Sequence, residues 1–366
     1  MEDQVSNMTG TIHEHNLLLN IYVLQIEKLH EMKIQCVAMN SSNQSDVESV
    51  QNAVESNQLD VLISSPEFAS TSAFKELARG CLRRVLCLVA FDEAHVITEW
   101  GNEEFRPEYG HMAELLSVLQ SPVEVLLSAT MGLKTLKMLQ ESLCIEHLEI
   151  VAESPDRPEI FLDVDRTTKP NARLDWLIED LYEKREAMEK TLVYVRSINQ
   201  CTRIFERFLK KFDGILSSTN GNEPDSRLVE MFSSVICNET KTRVLQRFLS
   251  DSSLRIVICT VAFGMGINIP DIRNVVCLGL PESVTHLWQQ IGRACRDGKA
   301  GRAIIYPSCV GNLRTTDEIK EIFRKQNTGC IREAILQTMW LVEMGELTLS
   351  VEPCCSVCSA MDIDNQ

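Results

Sequence analysis

Short apolar runs alternate with stretches of helical periodicity along the first 150 residues, and this alternation constrains the fold more than any other feature. Four runs are rich in β-branched and aliphatic residues, as buried strands are: 34–38, 59–64, 85–91 and 123–128. The helical patterns between them cover 45–56, 71–79, 107–119 and 133–143. Buried strands separated by helices predict a mostly parallel sheet with helices on both faces.

The alternation restarts after a segment that contains Pro155, Pro158 and Pro170. The second set is predicted as helix 172–190, strand 191–195, helix 198–212, strand 255–259, helix 283–294 and strand 301–306. From about residue 311 the pattern is helical, at 315–326 and 330–341, and it ends in the cysteine-rich PCCSVC. We expect an α/β protein with two parallel-sheet domains, a cleft between them and a small helical segment: 1–153, 154–310 and 311–366.

Composition and charge exclude several classes of protein. No run of 18 apolar residues occurs, so no membrane span is predicted, and the start Met1-Glu2-Asp3 lacks the basic region of a signal peptide. Fourteen cysteines spread over 366 residues indicate reduced thiols in the nucleus or cytosol. The net charge of −16 argues against a protein coated with nucleic acid.

That charge is unevenly distributed along the chain. Residues 1–155 carry 9 Lys and Arg against 23 Asp and Glu, whereas residues 293–332 carry 9 against 4. A basic stretch on an acidic chain is able to bind phosphates. The alternative is a solvated helix face, and charge alone does not decide between the two.

Two acids follow the third apolar run. Asp92 and Glu93 stand at the carboxyl end of strand 85–91, where open α/β sheets place their chemistry. Such acids hold Mg²⁺ and polarise an attacking water in phosphoanhydride hydrolysis. His95 is suited to relay between that site and neighbouring groups. The alternative is an acidic helix cap, but the buried strand before the acids favours the catalytic interpretation.

Small hydroxyl residues follow the next strand in the same way. Ser128 and Thr130 would either link the two domains by hydrogen bonds or cap helix 133–143. Their position one strand after Asp92 favours the linking role.

The second domain carries glycines and paired arginines. Gly264 and Gly266 let the backbone approach a ligand closely. Arg293 and Arg296 are three residues apart, so at the end of a helix they would share one face and reach γ-phosphate oxygens. The alternative is a basic helix terminus favoured by the helix dipole.

These segments occur together in one order. The sequence resembles the RecQ family of superfamily-two DNA helicases from about residue 26 to its end. The loop beside the acids and the FGMGI segment distinguish that family from RNA helicases of the same superfamily. The matching segments are SPE at 65–67, FDEAHVITEWG at 91–101, FRPEY at 105–109, LLSAT at 126–130, TLVYVRS at 191–197, TVAFGMGINIPDIR at 260–273 and QQIGRACRDG at 289–298.

The resemblance implies two RecA-like domains, the first incomplete, and ATP-driven movement from 3′ to 5′ along single-stranded DNA with separation of forked duplexes. It also implies that Asp92 holds Mg²⁺ and that Glu93 activates water beside ATP. Three residues of the second domain would then sense the γ-phosphate, with the last as the arginine finger: Gln289, Arg293 and Arg296.

DNA contact is expected in the loop that follows the acids. The resemblance implies that Trp100, Phe105 and Arg106 couple this contact to hydrolysis, and aromatic rings beside a cation suit stacking on unpaired bases. The alternative for Trp100 is an ordinary half-buried ring. A DNA substrate favours nuclear residence over cytoplasmic residence, and protein partners cannot be inferred.

Members of the family often carry a helical hairpin with four zinc-binding cysteines after the motor. The candidates here are Cys330, Cys354, Cys355 and Cys358, and the last two have the C-x-x-C spacing of a zinc knuckle. The adjacent pair is unfavourable, because neighbours on an extended chain point apart. We expect Zn²⁺ with three or four of these ligands; a frayed, thiol-rich end is the alternative.

One departure from the family pattern is large. No G-x-x-x-x-G-K-[ST] occurs in the sequence, and Met1–Val5 resembles the middle of the motif that follows this phosphate-binding loop in the family. The loop gives a triphosphate several backbone N–H groups and a lysine, so we expect little ATPase from these residues unaided. The hypotheses are an incomplete helicase sequence, a binding module without motor activity, and a fragment that folds poorly.

Two smaller departures lie in the second domain. Cys295 replaces the glycine expected between the two arginines, and Asn268 stands where the family usually has an acid.

Overall fold

The computed structural model describes residues 26, 28–40, 47–100, 107–166, 173–212, 226–263, 268–307, 315–324, 329–349 and 353–364. The described residues divide into two compact units, 26–153 with 341–344, and 154–340 with 345–364. In the described part of the chain, no helix has the length and apolar character needed to cross a membrane.

Two parallel pairs of strands form the first unit. Strand β1 (Cys36–Met39) pairs with β2 (Val61–Ser64), and β3 (Val89–Phe91) pairs with β4 (Glu124–Leu126). The helices that surround them are α1 (Val47–Glu55), α2 (Pro66–Ala69), α3 (Ser72–Leu77), α4 (Arg83–Val85), α5 (Val96–Trp100), α6 (Met112–Leu119) and α7 (Leu133–Leu143).

The strands of this unit are shorter than the sequence pattern predicts. Residues 83–85, at the edge of a predicted strand, are helical, and a π-helical turn at Ala78–Leu82 precedes them. The four strands form two separate ladders rather than one sheet. Hydrophobic periodicity locates strands but carries no information on which strands pair, since pairing depends on distant parts of the chain.

The second unit contains a six-stranded parallel sheet in the order β5-β10-β9-β6-β8-β7. Its strands are β5 (Ile160–Val164), β6 (Lys190–Tyr194), β7 (Val229–Phe232), β8 (Ile256–Cys259), β9 (Ile272–Leu278) and β10 (Gly301–Tyr306). The helices are α8 (Asp175–Lys184), α9 (Ile198–Lys211), α10 (Asn238–Leu249), α11 (Val284–Ile291), α12 (Asp317–Ile322), α13 (Ile331–Gln337) and α14 (Ser356–Asp364). The prediction of a parallel α/β architecture is confirmed.

Successive side chains of this sheet pack into two different cores. In β6, Leu192 and Tyr194 belong to the core beneath α10 and α11, whereas Val193 belongs to the core beneath α8 and α9. The period of two is that of any β-strand. Both faces of the sheet are therefore covered by helices, which explains why its strands are apolar throughout.

Three strands of the sheet, β5, β7 and β9, escape prediction from the sequence. Strand β7 contains Glu230, whose carboxylate is only 5% exposed and lies 3.3 Å from Arg243 and 3.5 Å from Arg247 of α10. Two arginines offset the cost of burying this acid. The two arginines come from a helix that follows later in the sequence. Glu230 therefore makes the sequence of β7 resemble an exposed loop.

The last described residues pack onto the same unit. Ile319 of α12 and Ile335 of α13 lie in the core that contains Leu192. Both helices are shorter than the predicted 315–326 and 330–341. The backbone of Cys355 makes a bridge to Leu162 of β5, and the backbone N–H of Val164 donates to Ser356 Oγ at 2.9 Å. The cysteine-bearing end is thus attached to the edge of the sheet.

Candidate functional site

Asp92 and Glu93 stand directly after β3, as the sequence pattern predicts. The backbone N–H of Glu93 donates to Asp92 Oδ1 at 3.0 Å. Glu93 has a φ of +50°, which is a left-handed conformation that costs a non-glycine residue about 1 kcal/mol or more. The turn thus holds the two carboxylates at the strand end at an energetic cost, as functional sites often do.

His95 joins the acids to the end of the neighbouring strand. Its ring is buried, and Nδ1 shares a hydrogen bond of 2.9 Å with Ser128 Oγ. Nδ1 also lies 3.4 Å from Glu93 Oε2, an oxygen that is buried but accepts no hydrogen bond from the described residues. The Glu93 side chain as a whole is about half exposed, so its carboxylate remains accessible to a water or a substrate.

The hydroxyl residues after β4 face this turn instead of the next helix. The N-cap of α7 is Gly132, which makes no side-chain cap. Ser128 Oγ instead accepts the backbone N–H of Thr130 at 3.3 Å and bonds His95. The capping alternative is therefore wrong for this helix, and Ser128 links the ends of β3 and β4 within the first unit.

The paired arginines lie beyond the helix in which the sequence places them. Gln289 is on α11, but the helix ends at Ile291, and Arg293 and Arg296 lie in the turn that follows. We refer to residues 292–297 as the arginine turn. The predicted helix 283–294 extends three residues too far at its carboxyl end, because Gly292 caps the helix and the chain then leaves the helical path.

Asn268 and Cys295, the two departures from the family pattern, both contact this turn. Arg296 Nη1 donates to Asn268 Oδ1 at 3.1 Å, so the amide oxygen accepts a bond where an acid is expected. Cys295 has a φ of +57°, a conformation that glycine adopts freely and other residues rarely. Its side chain is fully buried and packs beside Gly301, where an added Cβ would lie 2.4 Å from the sulfur.

Tyr194 belongs to this region although it was not predicted from the sequence. Its hydroxyl is buried at the carboxyl end of β6 and has no hydrogen-bond partner among the described residues. Burial raises the pKa of Tyr194, and the nearby charges of Arg293 and Arg296 act in the opposite direction. The signal was available in the TLVYVRS segment, since the phenol is the last residue of an apolar strand, the end at which the acids of the first unit stand.

Four cysteines converge near the end of the chain: Cys330, Cys354, Cys355 and Cys358. Their sulfur atoms all lie within 4.8 Å of one another, with 3.3 Å between Cys330 and Cys354 and 3.5 Å between Cys355 and Cys358. Tetrahedral Zn²⁺ binds thiolates at about 2.3 Å, which requires sulfur separations close to these. This cysteine cluster therefore fits a structural zinc ion with four ligands.

The adjacent pair contributes two sulfur atoms to the cluster although the two residues are neighbours in the sequence. Cys354 and Cys355 immediately precede α14, which begins at Ser356, and Cys355 forms the bridge to Leu162 of β5. Hydrogen bonding from Cys330 lowers the pKa of Cys355, whereas burial raises the pKa of Cys358. Ionisation of Cys355 is thus favoured within the cluster, and a bound dication would favour ionisation of the other three thiols.

Several predicted residues lie outside the described part of the chain. They are Gly264, Gly266, Phe105 and Arg106, and they remain predictions. The backbone of Trp100 is described as the last residue of α5, but its ring is not. The proposed DNA-coupling loop is therefore known from sequence only.

Comparison with known proteins gives the family. The DEAD/DEAH box helicase model matches residues 16–139, and the helicase conserved C-terminal domain model matches residues 172–298. The chain is 30% identical over 290 residues to the ATP-dependent DNA helicase RecQ of Haemophilus influenzae, which covers 79% of this chain and 43% of that relative. The chain contains both helicase domains and is similar to RecQ DNA helicases over most of its length. The resemblance inferred from the motifs is confirmed.

Eukaryotic relatives are similar to the chain over a comparable share of its length. The ATP-dependent DNA helicase Q-like 2 of Arabidopsis thaliana is 29% identical, covering 81% of this chain and 41% of the relative. The RecQ-like DNA helicase BLM of Xenopus laevis is 24% identical, covering 80% of this chain and 20% of the relative. The chain spans less than half the length of these RecQ relatives.

Solved helicase structures share this fold. Mss116p bound to ssRNA and AMP-PNP superposes with a TM-score of 0.60 at 20% identity, over 84% of this chain and 59% of that one. The Mycobacterium smegmatis helicase Lhr bound to ssDNA and AMP-PNP gives 0.52 at 20% identity, over 82% and 38%. These similarities concern the fold alone.

Proposed function

We propose that this chain is the motor region of an ATP-dependent DNA helicase. The observation that carries the proposal is the meeting of Glu93, His95 and Ser128 at the ends of two adjacent parallel strands. Catalytic groups of open α/β sheets lie at such strand ends. The relatives named as ATP-dependent DNA helicases support the choice of reaction and nucleic acid.

In this proposal the first unit supplies the acids of phosphoanhydride hydrolysis. Asp92 would hold Mg²⁺, which supplies positive charge against the β- and γ-phosphate oxygens. Glu93 would accept a proton or hydrogen bond from the attacking water through its carboxylate, since its side chain is 47% exposed. His95 contacts both Glu93 and Ser128, so that a displacement of the end of β4 would move the Glu93 carboxylate.

The second unit supplies positive charge. Arg293 and Arg296 on the arginine turn are proposed to stabilise the negative charge that develops on the transferred phosphoryl group, with Arg296 as the finger and Gln289 beside them. An arginine finger contributes about 10³- to 10⁵-fold in rate. Gly264 and Gly266 are proposed to bring backbone close to the nucleotide.

The nucleic acid is proposed to be single-stranded or forked DNA, engaged through Trp100, Phe105 and Arg106, with movement from 3′ to 5′. Relatives named as DNA helicases, and the binding of ssDNA by the structurally similar helicase Lhr, support DNA binding. A DNA substrate also favours nuclear residence, with the cytoplasm as the alternative.

Zinc is proposed to occupy the cysteine cluster. All four thiols offer one sulfur each within bonding geometry of a single centre, and among the described residues no carboxylate belongs to the cluster. When bound, the ion would tie α13 and α14 together and give the end of the chain a rigid attachment to β5.

The test is DNA-stimulated ATP hydrolysis by the purified full chain, together with displacement of a labelled strand from a fork. Glu93→Gln removes the proton acceptor while keeping the side chain's shape, and we expect hydrolysis to fall by about 10²- to 10⁴-fold. Glu141→Gln, an exposed acid of α7, is the matched control and should hydrolyse ATP normally. Because the sequence lacks the G-x-x-x-x-G-K-[ST] motif, we expect a low rate in the unmodified chain, and a rate that Glu93→Gln leaves unchanged would contradict the proposal.

A second candidate function is DNA binding without hydrolysis. The observation that favours it is the absence of a G-x-x-x-x-G-K-[ST] motif from the sequence. Fluorescence anisotropy with labelled single-stranded DNA distinguishes the two functions. Binding that is independent of ATP, in a preparation without ATPase, would support this second function over the first.

A further inference from the structure

The arginine turn is held by a residue to which no role has yet been assigned. Arg157 lies in the segment before β5 and is ion-paired through Nε with Glu159 at 2.6 Å. Its remaining nitrogens donate to three backbone carbonyls at the end of α11 and in the turn: Gly292 at 3.1 Å, Ala294 at 3.0 Å and Cys295 at 3.2 Å.

These three carbonyls flank both arginines proposed to contact the nucleotide. Only a planar guanidinium can direct several N–H groups at once toward acceptors with this spacing. The segment of Arg157 is fixed to α11 a second time, because the indole Nε1 of Trp288 donates to the carbonyl of Pro155 at 2.9 Å. The position of the turn relative to α11 is therefore set by residues 155–157.

Arg157 is in turn fixed by the cysteine-bearing segment. Arg332 of α13 is only 2% exposed, and its Nη1 donates to Asp156 Oδ1 at 2.6 Å and to the carbonyl of Arg157 at 3.0 Å. Asp156 Oδ1 also accepts the backbone N–H of Arg157 at 2.8 Å. Cys330, a member of the cysteine cluster, is the N-cap of the helix that carries Arg332.

We propose that Arg157 is a positioning residue for the arginine turn, and that Arg332 holds Arg157 in place from the helix that begins at the cysteine cluster. The inference rests on the proposed function for what the turn does with a nucleotide. Its structural step, that Arg157 orders residues 292–297, does not depend on hydrolysis and is tested separately.

Amide hydrogen exchange of the full chain tests the structural step. The turn has protected amides to report on, since Cys295 N–H donates to Ile272 at 2.8 Å and Gly298 N–H donates to Cys295 at 2.9 Å. We expect Arg157→Ala to increase exchange in peptides covering residues 292–298 by about tenfold or more. Arg157→Lys should also increase it, because an ammonium cannot serve all three carbonyls.

The matched control is Arg166→Ala. Arg166 likewise donates to two backbone carbonyls at a helix end in the same unit, those of Phe323 at 2.7 Å and Arg324, but it does not contact the arginine turn. This variant should loosen residues 322–324 and leave residues 292–298 unchanged. Equal exchange of residues 292–298 in the unmodified chain and Arg157→Ala would overturn the proposal, whether or not the chain hydrolyses ATP.

The link to α13 is tested with Asp156→Asn, which keeps the side chain's size and removes its charge. We expect a smaller increase in exchange at residues 292–298 than in Arg157→Ala. If exchange at residues 292–298 does not increase in this variant, the claim that Arg332 holds Arg157 in place is wrong.

Kinetics separate positioning from a general loss of stability. A displaced arginine turn should lower kcat on the order of 10²-fold and leave the KM for ATP nearly unchanged, because its charge acts mainly on the transition state. Guanidinium at millimolar concentration should partly restore kcat in Arg157→Ala but not affect Arg166→Ala. Exchange that changes as expected while kcat does not would limit Arg157 to a structural role and overturn the positioning function. Absence of ATPase in the unmodified chain would instead favour the second candidate function, and the exchange experiment would still test the structural step.

Discussion

At the scale of single residues, two strained backbone positions mark the two parts of the candidate site. Other residues with positive φ, such as Gln120, Cys144 and Arg185, are C-caps of helices, where this conformation is common. Glu93 follows a strand, and Cys295 lies between the two arginines of the turn. Neither residue caps a helix. We therefore infer that the placement of the side chain determines the backbone conformation at Glu93 and Cys295.

The hydrogen bond between His95 and Ser128 provides a prediction at this scale. Ser128→Ala should lower the free energy of unfolding by about 1 kcal/mol, because the buried imidazole loses this bond. Ser117→Ala is the control, since Ser117 Oγ bonds a backbone carbonyl on the exposed side of α6 and should cost less than about 0.5 kcal/mol. Urea unfolding of both variants measures the difference. Equal stabilities would show that the bond contributes nothing, and kcat should fall only in Ser128→Ala.

The sequence was sufficient to single out most of the candidate site residues in the first unit by their positions at strand ends. Asp92 and Glu93 are recognisable because they end an apolar run, and Ser128 because it ends the next one. Arg157 was not recognisable, since its partners are backbone carbonyls more than 130 positions away. Every residue has a backbone carbonyl, whatever its side chain. The sequence pattern therefore could not indicate this contact.

At the scale of elements, β10 shows how a departure from the family pattern is accommodated. Cys295 brings a side chain where glycine is expected, and Gly301 at the start of β10 leaves room for it. Cβ added at Gly301 would lie 2.4 Å from Cys295 Sγ and 2.4 Å from the carbonyl oxygen of Arg273. The two positions therefore have complementary sizes across the arginine turn.

Gly301→Ala is accordingly expected to destabilise the second unit by about 3 kcal/mol or more, because one of the two contacts is with backbone that cannot move away. Gly80→Ala is the control, since nothing lies within 4 Å of an added Cβ there. Thermal unfolding of both variants measures the effect. An unchanged midpoint for Gly301→Ala would show that β10 shifts freely, and the size relationship with Cys295 would be wrong.

The elements themselves were predictable to different degrees. Strand β10 and helix α7 have the predicted bounds, since each combines strong periodicity with clear ends. Strand β7 was missed because Glu230 interrupts an otherwise apolar run, and its neutralising arginines come from α10. Local pattern fails where a buried charge is paired through tertiary structure.

At the scale of the whole molecule, the cysteine cluster determines how the end of the chain is attached. Removal of zinc with a chelator should lower the unfolding midpoint of the second unit by roughly 10 °C, because the free energy of structural zinc binding adds to folding. Cys358→Ser should lower both the zinc content, measured by mass spectrometry of the metal, and the midpoint. Cys237→Ser, an exposed thiol of the same unit, should change neither. A chain purified without zinc whose midpoint resists chelation would contradict the zinc proposal.

Both broad surfaces of the six-stranded sheet are covered by helices, so a ligand reaches the sheet itself at its strand ends. In the proposed function, recognition of nucleic acid would then reside in the connections that leave these ends, and such connections can be lengthened or exchanged without repacking the interior. Loop transplantation between family members should consequently alter which nucleic acid is preferred while leaving thermal stability nearly unchanged.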